Sequence, residues 1–583
     1  MSGEFCLKLR SRPSYLVWTS STKVVETFNR TLSPPPAMAV SKLYRHQFDD
    51  LWARAMRESP LAPDGAVDQL MSRLADFLDV EQIQHVAVHD ASAYLYDLTT
   101  LGLSGMGWNV FVVSRAPQSE EEARSQAEFL DEQKRATDSI GFCFYLYLEN
   151  ERPPVNPYIG GSLHAVFLGR AELETVFSSP VPKMTLAAIV RQQTPVARLC
   201  PFNTSQEASG AMFYGRRSEL ALLVEDFTKC IAIHGARRIG KTSLLKQAYR
   251  ILKNRYHDES RRVYYFNCLT WDGYLHACQR LAHKIDPRRE PRMELSDRNI
   301  EYLLERRSRN GSKPLLLFFD EVDRLIDLDS VNNWQFFSLL ASAKDANHVR
   351  FVLAGYRSVD RLAFGDRSLR YSIPNRPPEA IQPPDTPLLL QMASLRLGPL
   401  GRREADSLFV EPLKLTDVAL EGETSLQESV WRLTAGYPFF VQFVGQLLFR
   451  IAAKRGDHRL SADDVTLVEQ DAELREFLET HFIENTQQNG TVVGVERCCA
   501  MLFAHSGDAS WTEQDFWEGC RRHKIPLGAD GLGTVHRAVK NLVDSQILAT
   551  CGARHTFAFP AMKSVLTSCF PNLSIAIRAH LEN

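Results

Sequence analysis

The chain has 583 residues, 44% hydrophobic and 24% charged, with 68 Lys and Arg against 70 Asp and Glu. That length is too great for one hydrophobic core and calls for roughly three or four domains. The charge balance excludes a global field drawing the protein onto DNA or an anionic membrane, leaving room only for a local basic patch. No apolar run approaches the ~20 residues of a membrane span. Eleven scattered cysteines, without two C-x₂-C pairs at finger spacing, argue against structural zinc and for a reducing, cytoplasmic compartment.

Residues 1–39 carry Arg and Ser, few acids and no apolar core of a secretory signal. Ser33-Pro34-Pro35-Pro36-Ala37-Met38 reads as a linker. A disordered extension, a transit peptide or an over-extended start all fit, with order beginning near Val40. Leu43, Phe48, Leu51 and Trp52, then Leu70, Leu74, Phe77 and Leu78, recur at helical spacing. Beyond them His85–His89 and Asn109–Val113 read as strands, Tyr94–Leu98 as helical and Ser119–Arg135 as a charged helix. Gly141–Leu148 and Ala165–Leu168 read as further strands. The alternation predicts a small α/β domain over 40–181 with a mostly parallel sheet. It contains no G-x-S-x-G, H-E-x-x-H or nuclease-like acid pattern, and Asp90, Glu149 and Glu151 are better explained as capping or surface acids. Residues 182–207 show breaker signals and little periodicity, as a linker would.

The chemistry begins at Gly235-Ala236-Arg237-Arg238-Ile239-Gly240-Lys241-Thr242, which fills G-x-x-x-x-G-K-[ST]. Ile231-Ala232-Ile233 leads in as a buried strand, and Ser243-Leu244-Leu245-Lys246-Gln247-Ala248 leads out as a helix. Such a loop aims backbone N–H groups and the positive end of a helix at a phosphate chain. Gly235 and Gly240 let the backbone turn and approach without a Cβ. Lys241 would reach the β- and γ-phosphates, and the Thr242 hydroxyl would ligate Mg²⁺. The loop residues from Gly235 to Ser243 are therefore the expected nucleotide contacts.

A second apolar run, Pro314–Phe319, suits a strand buried on both faces and ends in Asp320-Glu321-Val322-Asp323. Asp320 would hold the Mg²⁺ hydration shell, and Glu321 would orient and polarise the attacking water. Arg262–Cys268 is the expected intervening strand, and Val349–Gly355 a third strand ending near Tyr356-Arg357. Helices through about Arg455 and from Ser461 to Asn485 would form a lid over 401–490, closing a core of 208–400. Residues 491–583 read as helix, helix, helix and hairpin, a winged-helix order. Thr512 and Asp515 stand as a capping box at its second helix. DNA reading there would use Thr534, His536, Arg537 and Lys540, with Arg554 in the wing.

Four boxes in order make residues 208–450 resemble the STAND ATPases, especially the prokaryotic AAA-like branch related to archaeal-type ATPases. Phe213-Tyr214-Gly215-Arg216-Arg217-Ser218-Glu219-Leu220 resembles their F-x-G-R-x-x-E-L box, and Arg237–Leu245 their P-loop wording. Leu395–Leu400 with Glu404-Ala405 resembles the start of the lid, and Gly436-Tyr437-Pro438 the G-x-P motif. The resemblance implies an α/β P-loop core with helical lid and C-terminal winged helix. It implies that Pro438 packs near the adenine and that a polar residue after the third strand, here Arg357, senses the γ-phosphate. Arg367 and Arg370 would be the candidates for acting on a neighbouring subunit. It further implies a slow, regulatory ATPase that binds ATP and Mg²⁺, self-associates on ATP binding, and answers an unidentified protein or nucleic-acid trigger in a signalling, stress or antiviral response. The alternative is a DNA-associated ATPase resembling origin-recognition or transposition regulators. A third class puts enzymatic chemistry in the N-terminal domain, with the ATPase as its gate.

Overall fold

The computed structural model describes residues 48–582 except 59–64, 98–107, 115–139, 149–157, 195–198, 226–228, 257–261, 287–296, 310–312, 357–358, 360–391 and 487–490, with further gaps of one to three residues. The expected N-terminal extension, the Ser119–Arg135 helix and the acids Asp90, Glu149 and Glu151 lie outside the described residues. The first elements are helices α1 (48–55) and α2 (Ala66–Leu78), the latter burying Val67, Leu70, Met71, Leu74 and Leu78 along one stripe.

Six strands follow: β1 (Gln82–Val88), β2 (Ala91–Asp97), β3 (Trp108–Ser114), β4 (Ile140–Tyr147), β5 (Tyr158–Ile159) and β6 (Leu163–Leu168), in sheet order β1-β2-β3-β4-β6-β5. Two expectations are corrected here. The described part of the Tyr94–Leu98 stretch, Tyr94 to Asp97, is strand rather than helix, because β2 pairs antiparallel with both β1 and β3. Seven residues fit either period, and the pairing decides: Tyr94 is buried and its hydroxyl donates to Asp68 Oδ1 (2.5 Å). The sheet is also mixed rather than mostly parallel, since only β3–β4 and β4–β6 run parallel. Connection length explains this. Two residues join β1 to β2, which permits only a hairpin, whereas the longer links from β3 to β4 and β4 to β6 are long enough to return the chain in parallel.

Helices α3 (Arg170–Ser178) and α4 (Pro182–Gln193) come next. Helix α4 occupies much of the stretch expected as a linker. Its Pro182 starts the helix rather than breaking chain regularity, and Leu186, Ala187 and Val190 are buried. The Gln193 amide exchanges two hydrogen bonds of 2.8 Å with the Phe167 backbone of β6. Past it, the buried Phe202 stacks on Phe409 at 6.1 Å and is packed down at that point.

The middle of the chain runs α5 (Arg217–Glu225), β7 (Ile231–His234), α6 (Lys241–Arg255), β8 (Val263–Asn267), α7 (Gly273–Ile285), α8 (Asp297–Arg309), β9 (Leu315–Asp320), α9 (Asp323–Val331), α10 (Gln335–Asp345), β10 (Val349–Ala354) and β11 (Ala393–Arg396). Its five strands form one parallel sheet in the order β11-β7-β10-β9-β8. All six residues of β9 are buried. Leu316 and Phe318 feed the core on the α6 side, while Leu315, Leu317 and Phe319 feed the opposite core. That is the period-2 alternation of a strand covered on both faces. Each such side chain contributes about 1.5–3 kcal/mol. The rigid sheet that results fixes where the strand ends, and hence the site, must lie.

The C-terminal part is helical: α11 (Arg402–Lys414), α12 (Glu423–Thr434), α13 (Pro438–Arg455), α14 (Ala462–Glu469) and α15 (Ala472–Thr486), with Ala419–Leu420 (β12) and Arg459–Leu460 (β13) as a short parallel pair. The helical stretch expected from Ser461 to Asn485 is α14 and α15, separated at Gln470-Asp471. Then come α16 (Thr491–His505), α17 (Glu513–Arg522), α18 (Gly531–Asp544) and the hairpin β14 (Leu548–Cys551) with β15 (Arg554–Phe557). The Thr512/Asp515 capping box is formed: Thr512 N–H donates to Asp515 Oδ2 (2.7 Å), and Asp515 N–H to Thr512 Oγ1 (3.3 Å). Beyond the expected order, α19 (Pro560–Cys569) and α20 (Leu573–Glu582) fold back onto α16. No described helix is long and apolar enough to cross a membrane.

Candidate nucleotide site

The loop between β7 and α6 is held in a conformation its sequence makes necessary. Gly235 has φ 151°, and a Cβ there would meet the Leu397 carbonyl oxygen at 2.6 Å. Gly240 opens α6 at φ 100°. Ala236 and Ile239 are buried beneath the loop, while Arg237 and Arg238 point outward. Lys241 is 7% exposed, and its ammonium donates to the Gly235 and Ala236 carbonyls, both at 2.9 Å. Burial pulls that ammonium below the ordinary lysine value, against the opposing pull of Asp323, Glu321 and Asp320. A buried cation resting on two loop carbonyls at a helix N-terminus makes a cradle for an anion. The chain therefore fits a phosphate here. Thr242, half-buried beside it, is the hydroxyl of the first turn. Ser243 is engaged elsewhere, its Oγ accepting the Ala208 N–H (3.0 Å) and tying α6 to the connecting segment.

Three adjacent strand ends bring the acids to the same place, because β10 lies between β7 and β9. Asp320 is 2% exposed, its Oδ2 accepting from the Tyr265 hydroxyl (2.7 Å) and its Oδ1 from the Glu321 N–H (3.1 Å). Such a buried, hydrogen-bonded carboxylate beside a lysine suits a divalent cation's water shell. Glu321 adopts φ 55°, a left-handed conformation that costs a non-glycine residue about 1–3 kcal/mol. Its carboxyl is held above the usual range, first by loss of water around it and then by Asp320 and Asp323. The residue itself faces solvent, so a raised affinity for protons is combined with access. Asp323 Oδ2 accepts the Tyr356 N–H (2.6 Å), an approach that requires Gly355, where a Cβ would fall 2.7 Å from the same oxygen.

Tyr356 belongs to none of the motifs yet sits among them. Its ring centroid lies 5.8 Å from the Lys241 ammonium and 6.0 Å from the Arg237 guanidinium. Its hydroxyl bonds the Ser545 Oγ (2.7 Å) at the end of α18 and reaches the Asn485 carbonyl (3.5 Å) of α15. It thus touches the loop, the acids and the C-terminal helices at once. Arg357, expected to be the sensing residue, lies outside the described residues, as do Arg367 and Arg370. The only hint in the sequence was Tyr356's place next to Arg357.

The boxes flanking the loop meet around it. Arg216 is buried and donates to Glu219 (3.1 Å), to the Ile239 carbonyl (3.4 Å) and to the Gly398 carbonyl. Gly215 leaves room for the Glu404 carboxylate, which a Cβ would meet at 2.6 Å. Tyr437 is wholly buried and donates its hydroxyl to the Arg237 carbonyl, while Pro438 begins α13. Arg238 lies over the Phe439 ring at 4.7 Å and 3.6 Å from Glu484. His481 packs against Tyr437 and Phe559, and burial brings its imidazole down to about 4.

A P-loop, a strand inserted between it and the acid-bearing strand, and paired acids opposite the lysine now stand together. Residues 226–362 match the AAA domain family. An AAA-like P-loop ATPase domain forms the middle of this chain. No curated protein matches the sequence. Among solved structures, the chain is similar to the Walker-type ATPase of Pyrococcus abyssi, at 14% identity and TM-score 0.45, over 63% of this chain and 99% of that one. It is also similar to the ORC2 protein of Aeropyrum pernix, solved as ADPNP–ADP complexes, at 16% identity and TM-score 0.44, over 65% and 98%. The ORC1 protein of the same organism in complex with DNA matches at 16% and TM-score 0.33, over 62% and 94%. Scores of this size amount to a loose likeness of shape.

Proposed function

We propose that the chain is an ATP-binding and slowly ATP-hydrolysing switch of STAND-like type, acting in a signalling, stress or antiviral response. Tyr356 carries this reading, because one side chain joins the AAA domain's phosphate loop to the C-terminal helices. A change at the loop would therefore be felt at Ser545. The triphosphate would take over Lys241 from the Gly235 and Ala236 carbonyls, with the loop N–H groups from Gly235 to Ser243 around it. Thr242 and Asp320 would hold Mg²⁺, which when bound neutralises charge on the phosphates. Glu321 would orient the attacking water and take up its proton, a role that its raised proton affinity supports. Arg357, directly after Tyr356, would reach the γ-phosphate, and Pro438 would line the adenine side. The lid is read over 401–490 and a winged helix over 491–583. The N-terminal sheet is read as a sensor or effector module, and self-association would accompany ATP binding. Equilibrium titration of ATP tests the core of this reading: equal affinity in the parent and in Lys241→Ala would remove it.

A DNA-associated ATPase is the second reading, supported by the helix-helix-helix-hairpin order of α16 to β15. The charges of α18 weigh against it. Arg537 is held by Asp530 (3.1 Å) and Thr534 (3.1 Å), and His536 by Glu513 (3.0 Å). Replacing Arg537 and Lys540 together by alanine should change nothing if the switch reading is right. Tight duplex binding by the parent, with a salt slope that falls by about one unit per lost phosphate contact in the variant, would favour the second.

A further inference from the structure

Asp320 reaches the site with both carboxylate oxygens already engaged, and one of the two donors comes from a neighbouring strand. Tyr265 sits on β8, in register with Phe318 of β9. Asp320 is two residues beyond Phe318 and shares its face of the sheet, so the phenol reaches the carboxylate along a diagonal cross-strand pair. The hydroxyl–Oδ2 distance is 2.7 Å. The phenol is itself held in place by the helix that carries the P-loop. Tyr249 of α6 packs on its ring at 5.8 Å, and the Lys246 ammonium lies 5.6 Å from its centroid.

We propose that Tyr265 is a positioning residue for metal-dependent nucleotide binding, setting the rotation of the Asp320 carboxylate relative to Thr242. The proposal rests on the ATPase reading above. A carboxylate offers about four lone-pair directions. Tyr265 and the Glu321 N–H take one on each oxygen, and these two bonds fix the orientation of the two left over. Without the phenol, Oδ2 has no partner in this arrangement and the carboxylate can turn about its last torsion, which is broad for aspartate. The ligand class affected is a hydrated divalent cation carried by a nucleoside triphosphate, and metal-free nucleotide binding, which depends on Lys241 and the loop, is left alone.

The test is Tyr265→Phe in the full chain, which removes one oxygen and keeps the ring packed on Tyr249. The Mg²⁺ concentration that half-saturates ATP hydrolysis should rise about tenfold, the scale of one hydrogen bond to a charged group. ATP affinity in excess EDTA should stay at the parent value. A phenol that merely satisfies a buried acid would lower the melting temperature and leave the Mg²⁺ curve in place, and that result overturns the proposal. The background of Asp320→Asn gives a second, independent check. Adding Tyr265→Phe there should shift the Mg²⁺ curve no further, whereas a second shift of the full size means Tyr265 acts independently of Asp320 and the proposal is wrong. A parent protein whose ATP binding ignores Lys241→Ala sinks the ATPase reading and this one with it. An intact Lys241 effect with an unmoved Mg²⁺ curve sinks this one alone.

Discussion

Two kinds of chain border the P-loop, and they differ in how they act. One side is the parallel sheet, which places Lys241, Asp320, Glu321 and Asp323 at or just beyond the ends of its strands, Lys241 and Asp323 opening α6 and α9. The other is the C-terminal helices, which deliver Tyr437, Phe439, Glu484 and Ser545. The sheet side holds charge, of the kind that binding a phosphate and a hydrated cation would call for. The helical side is mostly rings and hydroxyls, meeting the loop through its backbone and through Arg238. The difference suggests that the sheet side performs the chemistry while the helical side senses or restrains the loop. Substitutions on the two sides should therefore fail in different ways.

The largest expected effect is on the sheet side. Glu321→Gln should lower the ATP hydrolysis rate by about 10²–10⁴-fold and leave ATP affinity unchanged, since an amide cannot take the water's proton. Steady-state turnover with parallel equilibrium titration checks this, and a normal rate would mean another group is the base. Next is Lys241→Ala, expected to weaken ATP binding by about a hundredfold or more, the usual scale for removing one partner of a buried charged contact. A smaller loss would place the main phosphate contact on the loop N–H groups.

The two sides were also unequally legible in the sequence. On the sheet side, phosphate chemistry demands particular residue types at particular spacings, so Gly235–Thr242 and Asp320-Glu321 could be named with their strands. On the helical side, Tyr437 was legible as part of a motif, but its hydrogen bond to the Arg237 carbonyl was not, because any donor of the right length would serve. Tyr356 and Tyr265 were hidden for a related reason: an aromatic residue at a strand end usually means packing, and only the three-dimensional pairing shows which polar atom its hydroxyl meets. The N-terminal sheet shows a third limit. Its strands can be placed, yet the seven residues of β2, of mixed polarity, fit two periods, and strand direction follows from connection length rather than from periodicity.

The third expected effect concerns pH and the helical side. The His481 imidazole is 2% exposed and titrates at about 4, below the ordinary 6.5. The folded state therefore binds fewer protons than the unfolded chain between those values. Its contribution to stability is full above pH 6.5 and declines as pH falls toward 4. Between pH 6.5 and 5 the loss should be about 2 kcal/mol. Denaturant titrations at pH 7 and pH 5 measure it, and His481→Gln should remove that part of the pH dependence. An unchanged slope in the variant would assign acid sensitivity to other groups and weaken the picture of a dry, uncharged helical side.

The smallest effect tests the boundary itself. Tyr356→Phe deletes the hydroxyl that meets Ser545 and Asn485, and keeps both the backbone bond to Asp323 and the ring beside Lys241 and Arg237. One hydrogen bond between neutral groups is worth about 1 kcal/mol, so ATP affinity should stay within about twofold of the parent. The local stability of the junction between α18 and β14 should fall by about that amount, which hydrogen exchange over residues 541–548 would register as about fivefold faster opening. In the parent, ATP should change exchange in this segment, and in the variant that response should shrink. If Tyr356→Phe instead loses ATP affinity as severely as Lys241→Ala, the hydroxyl belongs to the phosphate side. The division between a chemical sheet and a sensing helical array would then have to be redrawn through β10.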